Sequence, residues 1–295
     1  MSAPVLVTGA TGRLGQLIVA RLVSKNQHVR VLTRRPGHAR ALFGTSVEVA
    51  AGDFADPVSV RAAVRGVGRL LLLSPLSGTL SIDQIGVAEA ATAAGATRIV
   101  KISGSDWTID PPGLSISGDA HAAVEWRLRG LPIEHVSLRP NAWMQVSLPN
   151  LIRQAEAGQM LSAGYCGAGI AFIDERDIAD VAVHQLLARD IVSKPAILTG
   201  PAIVDLRAIA GILARLLHRP VAVADAAVPA IIATDASFEH RAVAQFKGLI
   251  AAGRAAYSTE AVSSILGRAP RSVEQFLTEH LTAACFAEPR TGARN

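Results

Sequence analysis

The stretch that most narrows the folds open to this chain is its opening, Pro4-Val5-Leu6-Val7-Thr8-Gly9-Ala10-Thr11-Gly12-Arg13-Leu14-Gly15, which runs on into Gln16-Leu17-Ile18-Val19. An apolar, β-prone run feeds a turn with glycine at every third position, and the turn opens an amphipathic helix. A strand–loop–helix unit of this kind is suited to seat a pyrophosphate. Gly9 permits the tight turn, Gly12 lets backbone N–H groups approach phosphate oxygens, and Gly15 lets the helix pack close to the strand. The spacing is G-x-x-G-x-x-G rather than G-x-G-x-x-G, so the inference rests on the strand before and the helix after as much as on the glycines. Gly9, Thr11, Gly12, Arg13, Leu14 and Gly15 are expected to hold the pyrophosphate side of a dinucleotide.

The next 130 or so residues alternate strand and helix patterns over short connections. Strands are expected at Pro4–Thr8, His28–Thr33, Val47–Ala51, Arg69–Leu73, Arg98–Ser103 and Ile133–Arg139. Helices are expected near Leu14–Ser24, His38–Phe43, Pro57–Arg65, Ile82–Ala94 and Asp119–Arg129. The unbroken run Leu70-Leu71-Leu72-Leu73 suits a central parallel strand covered on both faces. The pattern predicts an α/β fold, a Rossmann-type doubly wound parallel sheet with a smaller C-terminal substrate lobe. Its ligand should sit beyond the carboxyl ends of the first and fourth strands.

Past Pro140 the regularity fades. Ala142–Glu156 reads as a helix, Gly169–Ile173 as extended, Glu175–Ala188 as a helix capped by Asp174, Ala196–Leu198 as a strand, and Leu206–Leu217 as a helix begun by Asp205. Residues from Asp235 to Ala284 look mostly helical, and Phe172 and Ile197 are expected to return to the main sheet. The expected division is a cofactor-binding core over 1–141, a helical lobe interleaved with the core sheet over 142–287, and a frayed tail over 288–295.

Half of the 295 residues are apolar and 18% are charged, enough to bury a substantial core and to exclude wholesale disorder. The net charge of +5 is scattered, with no run beyond Arg34-Arg35 and no aromatic interleaving, so no nucleic-acid partner is expected. Cys166 and Cys285 lie outside any metal-ligand spacing and read as reduced thiols, and no metal site is expected, since His218 and His240 lack partners at ligand spacing. The first strand follows Met1 almost at once and no apolar run reaches the length of a membrane span. A cytoplasmic protein acting on a small molecule is therefore expected, with no membrane partner and a homodimer left open.

At the end of the second expected strand, Thr33-Arg34-Arg35-Pro36 stands where a domain selective for NAD carries an acidic residue that bonds the ribose hydroxyls. Two guanidinium groups there suit a 2′-phosphate, which favours NADP(H) over NAD(H), and Arg13 is placed to reach the same phosphate. In Gly52-Asp53-Phe54, Asp53 can accept from the adenine amino group while Phe54 borders the ring, although Asp53 also suits a turn. Ser74 should pass close to the cofactor at the end of the fourth strand.

Taken together, Thr8–Gly15, Thr33–Pro36, Gly52–Phe54, Ser103-Gly104-Ser105, Val124–Ile133, Leu138-Arg139-Pro140-Asn141, Phe172–Ala179 and Leu198–Pro201 resemble the atypical short-chain dehydrogenase/reductases of the NmrA-like type, over roughly residues 3 to 202. The resemblance implies a Rossmann domain with a small C-terminal substrate lobe. It also implies an activity like that of the NAD(P)H-dependent quinone and isoflavone-type reductases, or else cofactor binding without turnover. The Tyr-x-x-x-Lys pair usual among short-chain dehydrogenases has no counterpart, because the corresponding helix reads His121-Ala122-Ala123-Val124-Glu125. His121 can replace the missing acid or simply contact cofactor or water, and Glu125 can orient it from the same helical face. Ser103 is the other catalytic candidate. Pro140 and Asn141 are expected along the nicotinamide half, with Asn141 reaching the carboxamide, and Trp107 and Trp143 on loops as apolar walls for substrate. Strand alternation alone does not decide which way Lys101 points.

The expected activity is hydride transfer from NADPH to a small apolar electrophile such as a quinone or conjugated carbonyl. A non-catalytic NADP(H) sensor is the alternative, as is a tailoring enzyme for aromatic natural products.

Overall fold

The computed structural model describes residues 3–165, 167–224 and 236–287, with side chains described to 282. Cys166, the Cys285 side chain, Asp235 and the tail 288–295 therefore lie outside the described residues. The first half runs β1 (Val5–Val7), α1 (Arg13–Ser24), β2 (Val29–Thr33), α2 (Pro36–Phe43), β3 (Glu48–Ala51), α3 (Pro57–Ala63), β4 (Arg69–Leu72), α4 (Leu80–Ala93) and β5 (Arg98–Ile102). It continues with α5 (Asp106–Ile109), α6 (Ile116–Arg129) and β6 (Glu134–Pro140). The second half adds α7 (Met144–Ser147), α8 (Pro149–Glu156), α9 (Glu175–Leu187), β7 (Ala196–Leu198), α10 (Leu206–Leu217), α11 (Phe238–Ala251), α12 (Ala261–Leu266) and α13 (Val273–Ala287).

All seven strands pair in parallel in the order β3-β2-β1-β4-β5-β6-β7, so the order reverses between β1 and β4. That reversal is the switch point of a doubly wound sheet, where a crevice opens outside the strand carboxyl ends. The period-two rule assigns the leucine run of β4 to two cores. Leu70 and Leu72 face α3, α4 and α6 together with Leu6 and Ile99, whereas Leu71 faces α1 and α9 together with Val7, Val31 and Val100. A third core gathers Met144, Leu148, Ile152, Leu161, Phe172, Leu206, Leu213 and Leu277 beyond the sheet.

Two expectations need correction. Ala142–Glu156 is not one helix: Pro149 has no N–H to continue a ladder and instead opens α8. Gly169–Ile173 makes only isolated bridges, Ile170 with Val204 and Trp143 with Ile173, so Phe172 does not join the sheet, while Ile197 does in β7. The short α5, with Trp107 in it, was not foreseen.

Candidate cofactor and active site

The glycine loop is clamped from beneath by one hydroxyl. Thr8 Oγ1 accepts from the Leu73 amide at 2.8 Å and lies 3.0 and 2.8 Å from the carbonyls of Leu71 and Leu73, tying the end of β1 to the end of β4. Gly9 takes φ +62°, and a Cβ there would fall 2.9 Å from the Leu73 carbonyl oxygen. A Cβ on Gly15 would fall 2.2 Å from the Gly9 carbonyl oxygen, so only glycine lets α1 start this close to the loop. Gly12 is the N-cap of α1: it carries no side chain to cap the helix, and the first turn holds no acidic residue. The open, positive helix end thus points out of the crevice rim with space over Gly12, which fits a dinucleotide pyrophosphate. Leu14 is buried beneath this end, and Thr11 is half-buried, its carbonyl held by Gln16 Nε2 at 2.9 Å.

Arg34 and Arg35 follow β2 directly and are both exposed, next to the loop that carries Asp53. Arg34 Nη1 lies 3.9 Å from Asp53 Oδ2, and Asp53 Oδ1 accepts from the Ala55 amide at 3.1 Å, so this carboxylate serves a turn and faces a guanidinium at once. Phe54 packs half-buried against the core under α3 and α4. Arg13 does not join this cluster. Its Nη2 pairs with Glu175 Oε1 at 3.0 Å and its Nη1 donates to the Gln145 carbonyl at 3.3 Å, directing it toward α7 and α9 instead of the 2′-phosphate position expected for it.

The carboxyl ends of β4 and β5 carry two polar chains. In the first, Gln84 on α4 donates from Nε2 to Ser74 Oγ at 2.8 Å and accepts from Lys101 Nζ at 2.7 Å; Lys101 Nζ also lies 2.9 Å from His121 Nδ1. Lys101 is fully buried. Burial pushes its ammonium down to about 7 even though the Glu125 carboxylate opposes the shift, and burial beside Lys101 holds His121 well below the usual imidazole range. In the second chain, Ser103 Oγ donates to Glu125 Oε1 at 2.6 Å. Arg139 donates from Nε to Glu125 Oε1 at 3.1 Å and from Nη2 to Glu125 Oε2, and its Nη1 reaches Asp106 Oδ1 at 2.6 Å. Tyr257 Oη donates to Asp106 Oδ2 at 3.4 Å.

His121 and Ser103, the two catalytic candidates of the sequence, are each wired to a buried ionic group, and Glu125 bonds Ser103, not His121. Lys101 is the residue that the sequence left undecided. Its depressed value also has a stability consequence. Between about pH 7 and the unfolded value of 10.5, the unfolded chain holds a proton on Lys101 that the fold does not, so stability rises with pH through that window. Lys101→Met removes this dependence. Its melting temperature relative to the parent should be highest near pH 7 and decline toward pH 9.5, each pH unit being worth up to about 1.4 kcal/mol. A difference that is flat with pH in calorimetry would contradict the burial of a titrating amine.

Beside these chains, Asn141 is 1% exposed and its side-chain amide makes three bonds within the protein. Its Oδ1 accepts from Trp107 Nε1 and from the Ala142 amide, each at 2.8 Å, and its Nδ2 donates to the Ala255 carbonyl at 3.1 Å. It locks the second half onto the sheet, with both acceptor positions of Oδ1 and one of the two Nδ2 hydrogens taken up by protein partners. Trp107 sits on α5 rather than on a loop, buried and tilted against Phe246 of α11 at 4.7 Å. Trp143 is on a loop as expected, half-buried and bridged to Ile173. Pro140 ends β6, its carbonyl accepting from Ser105 Oγ at 2.7 Å. α11 covers this rim, with Gln245 Oε1 accepting from the Ile116 amide at 2.9 Å.

A family model described as NAD(P)H-binding matches residues 9–189, which span the glycine loop, the arginine pair and both polar chains except Tyr257. Over 95% of its length the chain is 30% identical to a (4-alkanoyl-5-oxo-2,5-dihydrofuran-3-yl)methyl phosphate reductase of Streptomyces griseus, 98% of which is covered. Among solved structures, the NADPH complex of the quinone oxidoreductase QOR2 of Escherichia coli superposes with TM-score 0.81 at 22% identity, covering 94% of this chain and 99% of that one. Triphenylmethane reductase of Citrobacter sp. with NADP(H) superposes with TM-score 0.80 at 21% identity, covering 95% and 99%. These two likenesses establish the Rossmann-type fold.

Proposed function

The chain belongs to the NAD(P)H-binding family, and from that premise we propose that it is a reductase that prefers NADPH and reduces a small apolar electrophile, a quinone or a conjugated carbonyl. The observation that carries the reading is the uncapped N-terminus of α1 at the β1/β4 switch point, with two exposed arginines one strand away. Residues 1–141 form the cofactor-binding part and 142–287 the substrate lobe. When bound, the reduced nicotinamide supplies a hydride. The residues of this chain bind and orient it: the backbone of Gly9 to Gly15 at the pyrophosphate, Arg34 and Arg35 at the 2′-phosphate, Asp53 and Phe54 at the adenine, and Ser74 and Ser103 along the nicotinamide half. The Streptomyces relative acts, by its name, on the methyl phosphate of an oxo-dihydrofuran bearing an alkanoyl group, a ring alkene conjugated to carbonyls. That chemistry supports the conjugated-carbonyl branch of the reading.

The test is NADPH consumption, followed at the nicotinamide absorbance, against a panel of quinones and conjugated enones. Tight binding of NADPH with no oxidation across the panel would favour a cofactor sensor instead. The double substitution Arg34→Ala, Arg35→Ala should weaken NADPH by about tenfold to a hundredfold, the worth of one lost charge-assisted contact, with NADH nearly unaffected. Isothermal titration with both coenzymes measures it, and an equal loss for the two would remove the 2′-phosphate assignment.

A further inference from the structure

We propose that Lys101 and His121 form a two-residue proton relay, in which Lys101 Nζ feeds His121 Nδ1 and His121 Nε2 delivers to the anionic oxygen of a newly reduced acceptor. The proposal rests on the reductase reading above and adds to it the source of the proton.

The geometry has three parts. First, Lys101 lies on the penultimate residue of β5 and is sealed from solvent, paired in the sheet with Leu72 of β4 and Ser137 of β6. A buried ammonium needs hydrogen-bond acceptors, and here Gln84 Oε1 at 2.7 Å and His121 Nδ1 at 2.9 Å supply them. Second, that contact defines the imidazole. With Nδ1 accepting from an ammonium, the neutral ring carries its proton on Nε2. Third, Nε2 makes no hydrogen bond to another of the described residues, and His121 as a whole is half-buried. The ring lies against Gly104, its Cδ2 only 2.8 Å from where a Cβ would stand, at the carboxyl end of β5. The pair is therefore sealed at the lysine and only half-buried at the histidine, which lies by Gly104 at the carboxyl end of β5, the end at which a ligand of a doubly wound sheet binds.

The charges around the pair favour one shared proton. Glu125 on α6 is the carboxylate that acts on Lys101, and it is itself paired with Arg139 of β6; α4 contributes the neutral Gln84, and β4 apolar leucine. Below about pH 7 the proton resides on Lys101, and His121 stays neutral. The step balances as follows. Once a quinone or enone has taken a hydride, its oxygen bears a negative charge. The Nε2–H bond breaks as an O–H bond forms on that oxygen, and an Nζ–H bond breaks as Nδ1–H forms. Lys101 is left as the neutral amine and His121 as the other tautomer; uptake of a proton from water and return of the ring tautomer restore the pair. His121 is the residue that would touch the acceptor, and Lys101 is a positioning residue acting through it.

The experiment compares two acceptors that differ only in their need for a proton. A quinone must be protonated after the hydride arrives, whereas a triphenylmethane cation becomes a neutral product on hydride uptake alone. In the parent, quinone turnover should fall as pH rises through about 7. In Lys101→Met the ratio of quinone to dye turnover should drop by about tenfold to a hundredfold, the lower range for a general acid, and the inflection should vanish. His121→Asn, which keeps an acceptor for the lysine, should do the same and serves if the first variant folds poorly. Nitrogen NMR of the cofactor-free protein gives an independent readout, an Nε2–H tautomer for His121 below about pH 7, where Lys101 is an ammonium. An Nδ1–H tautomer, or equal losses with both acceptors, overturns the relay. A parent that binds NADPH and reduces neither acceptor removes the reductase reading and the relay with it. A parent that reduces both, with variants of unchanged ratio, removes the relay alone.

Discussion

Gly15→Ala is expected to abolish cofactor binding and remove much of the stability, whereas Gly12→Ala should weaken cofactor binding and leave the fold intact. The contrast comes from what each new methyl group would meet. At position 15 it lands 2.2 Å from the Gly9 carbonyl oxygen and 2.7 Å from the Ala10 Cα, both main-chain atoms with no rotamer to yield. Relief requires α1 to move off the loop, and α1 packs through Leu14, Ile18 and Leu22 into the core that it shares with α9. The cost should reach or exceed about 3 kcal/mol, the upper range for overpacking, and lower the melting midpoint by on the order of 10 °C. At position 12 the nearest atom is the Gly9 carbonyl oxygen at 3.4 Å, an ordinary contact, and the extended backbone there, φ −78°, suits alanine. The methyl group projects instead over the uncapped helix end. Loss of one charge-assisted contact to phosphate is worth about tenfold to a hundredfold in NADPH affinity. Calorimetric binding and thermal melting on both variants read the two effects separately. Parent-like affinity in Gly12→Ala would falsify the placement of the pyrophosphate on this loop.

How much of this was legible in advance follows from the range of the forces involved. The sheet was readable because its signals are local: β-prone runs, a glycine-spaced turn, and helices of ordinary length between them. The bend of Leu70–Leu73 into two cores follows from period two once the strand is known to be central. The second half was less legible since its elements lean on long-range contacts. Gly169–Ile173 looks extended, yet its hydrogen-bonding partners, Val204, Ala142 and Ala255, belong to no common sheet. The site divides in the same way. The positions of the glycine loop and the arginine pair were given by neighbours in sequence. Asn141 was not, because its engagement depends on Trp107, 34 residues back, and Ala255, 114 residues ahead. Lys101 did leave a trace: a lysine inside Arg98-Ile99-Val100-Lys101-Ile102, a strand that the structure buries along its whole length, must find a buried partner. Alternation places it on the face of Ile99, toward α4 and α6, once the topology is known.

Glu125→Ala should destabilise the protein by about 3–5 kcal/mol, although the residue is a single carboxylate on the inner face of α6. The reason is what remains behind. Glu125 is 3% exposed and accepts from Ser103 and from two nitrogens of Arg139, whose side chain is itself only 12% exposed. Removing it leaves a largely buried guanidinium with Asp106 as its one remaining carboxylate partner among the described residues, and a serine hydroxyl without its acceptor. Arg215→Ala breaks an ion pair with Glu274 that is more than half exposed on both sides, and it should cost at most about 1 kcal/mol. Urea unfolding of both variants makes the comparison internal, and equal losses would mean that the Glu125 network carries no special weight. Glu125→Gln separates charge from shape. It keeps an acceptor for Ser103 and should recover part of the loss, but it withdraws the negative charge that holds the Lys101 ammonium up. The Lys101 titration, followed by NMR, should then move to lower pH than in the parent. Two chains of side chains that share no hydrogen bond are thereby coupled through one charge, and an unmoved Lys101 titration would show that they are independent.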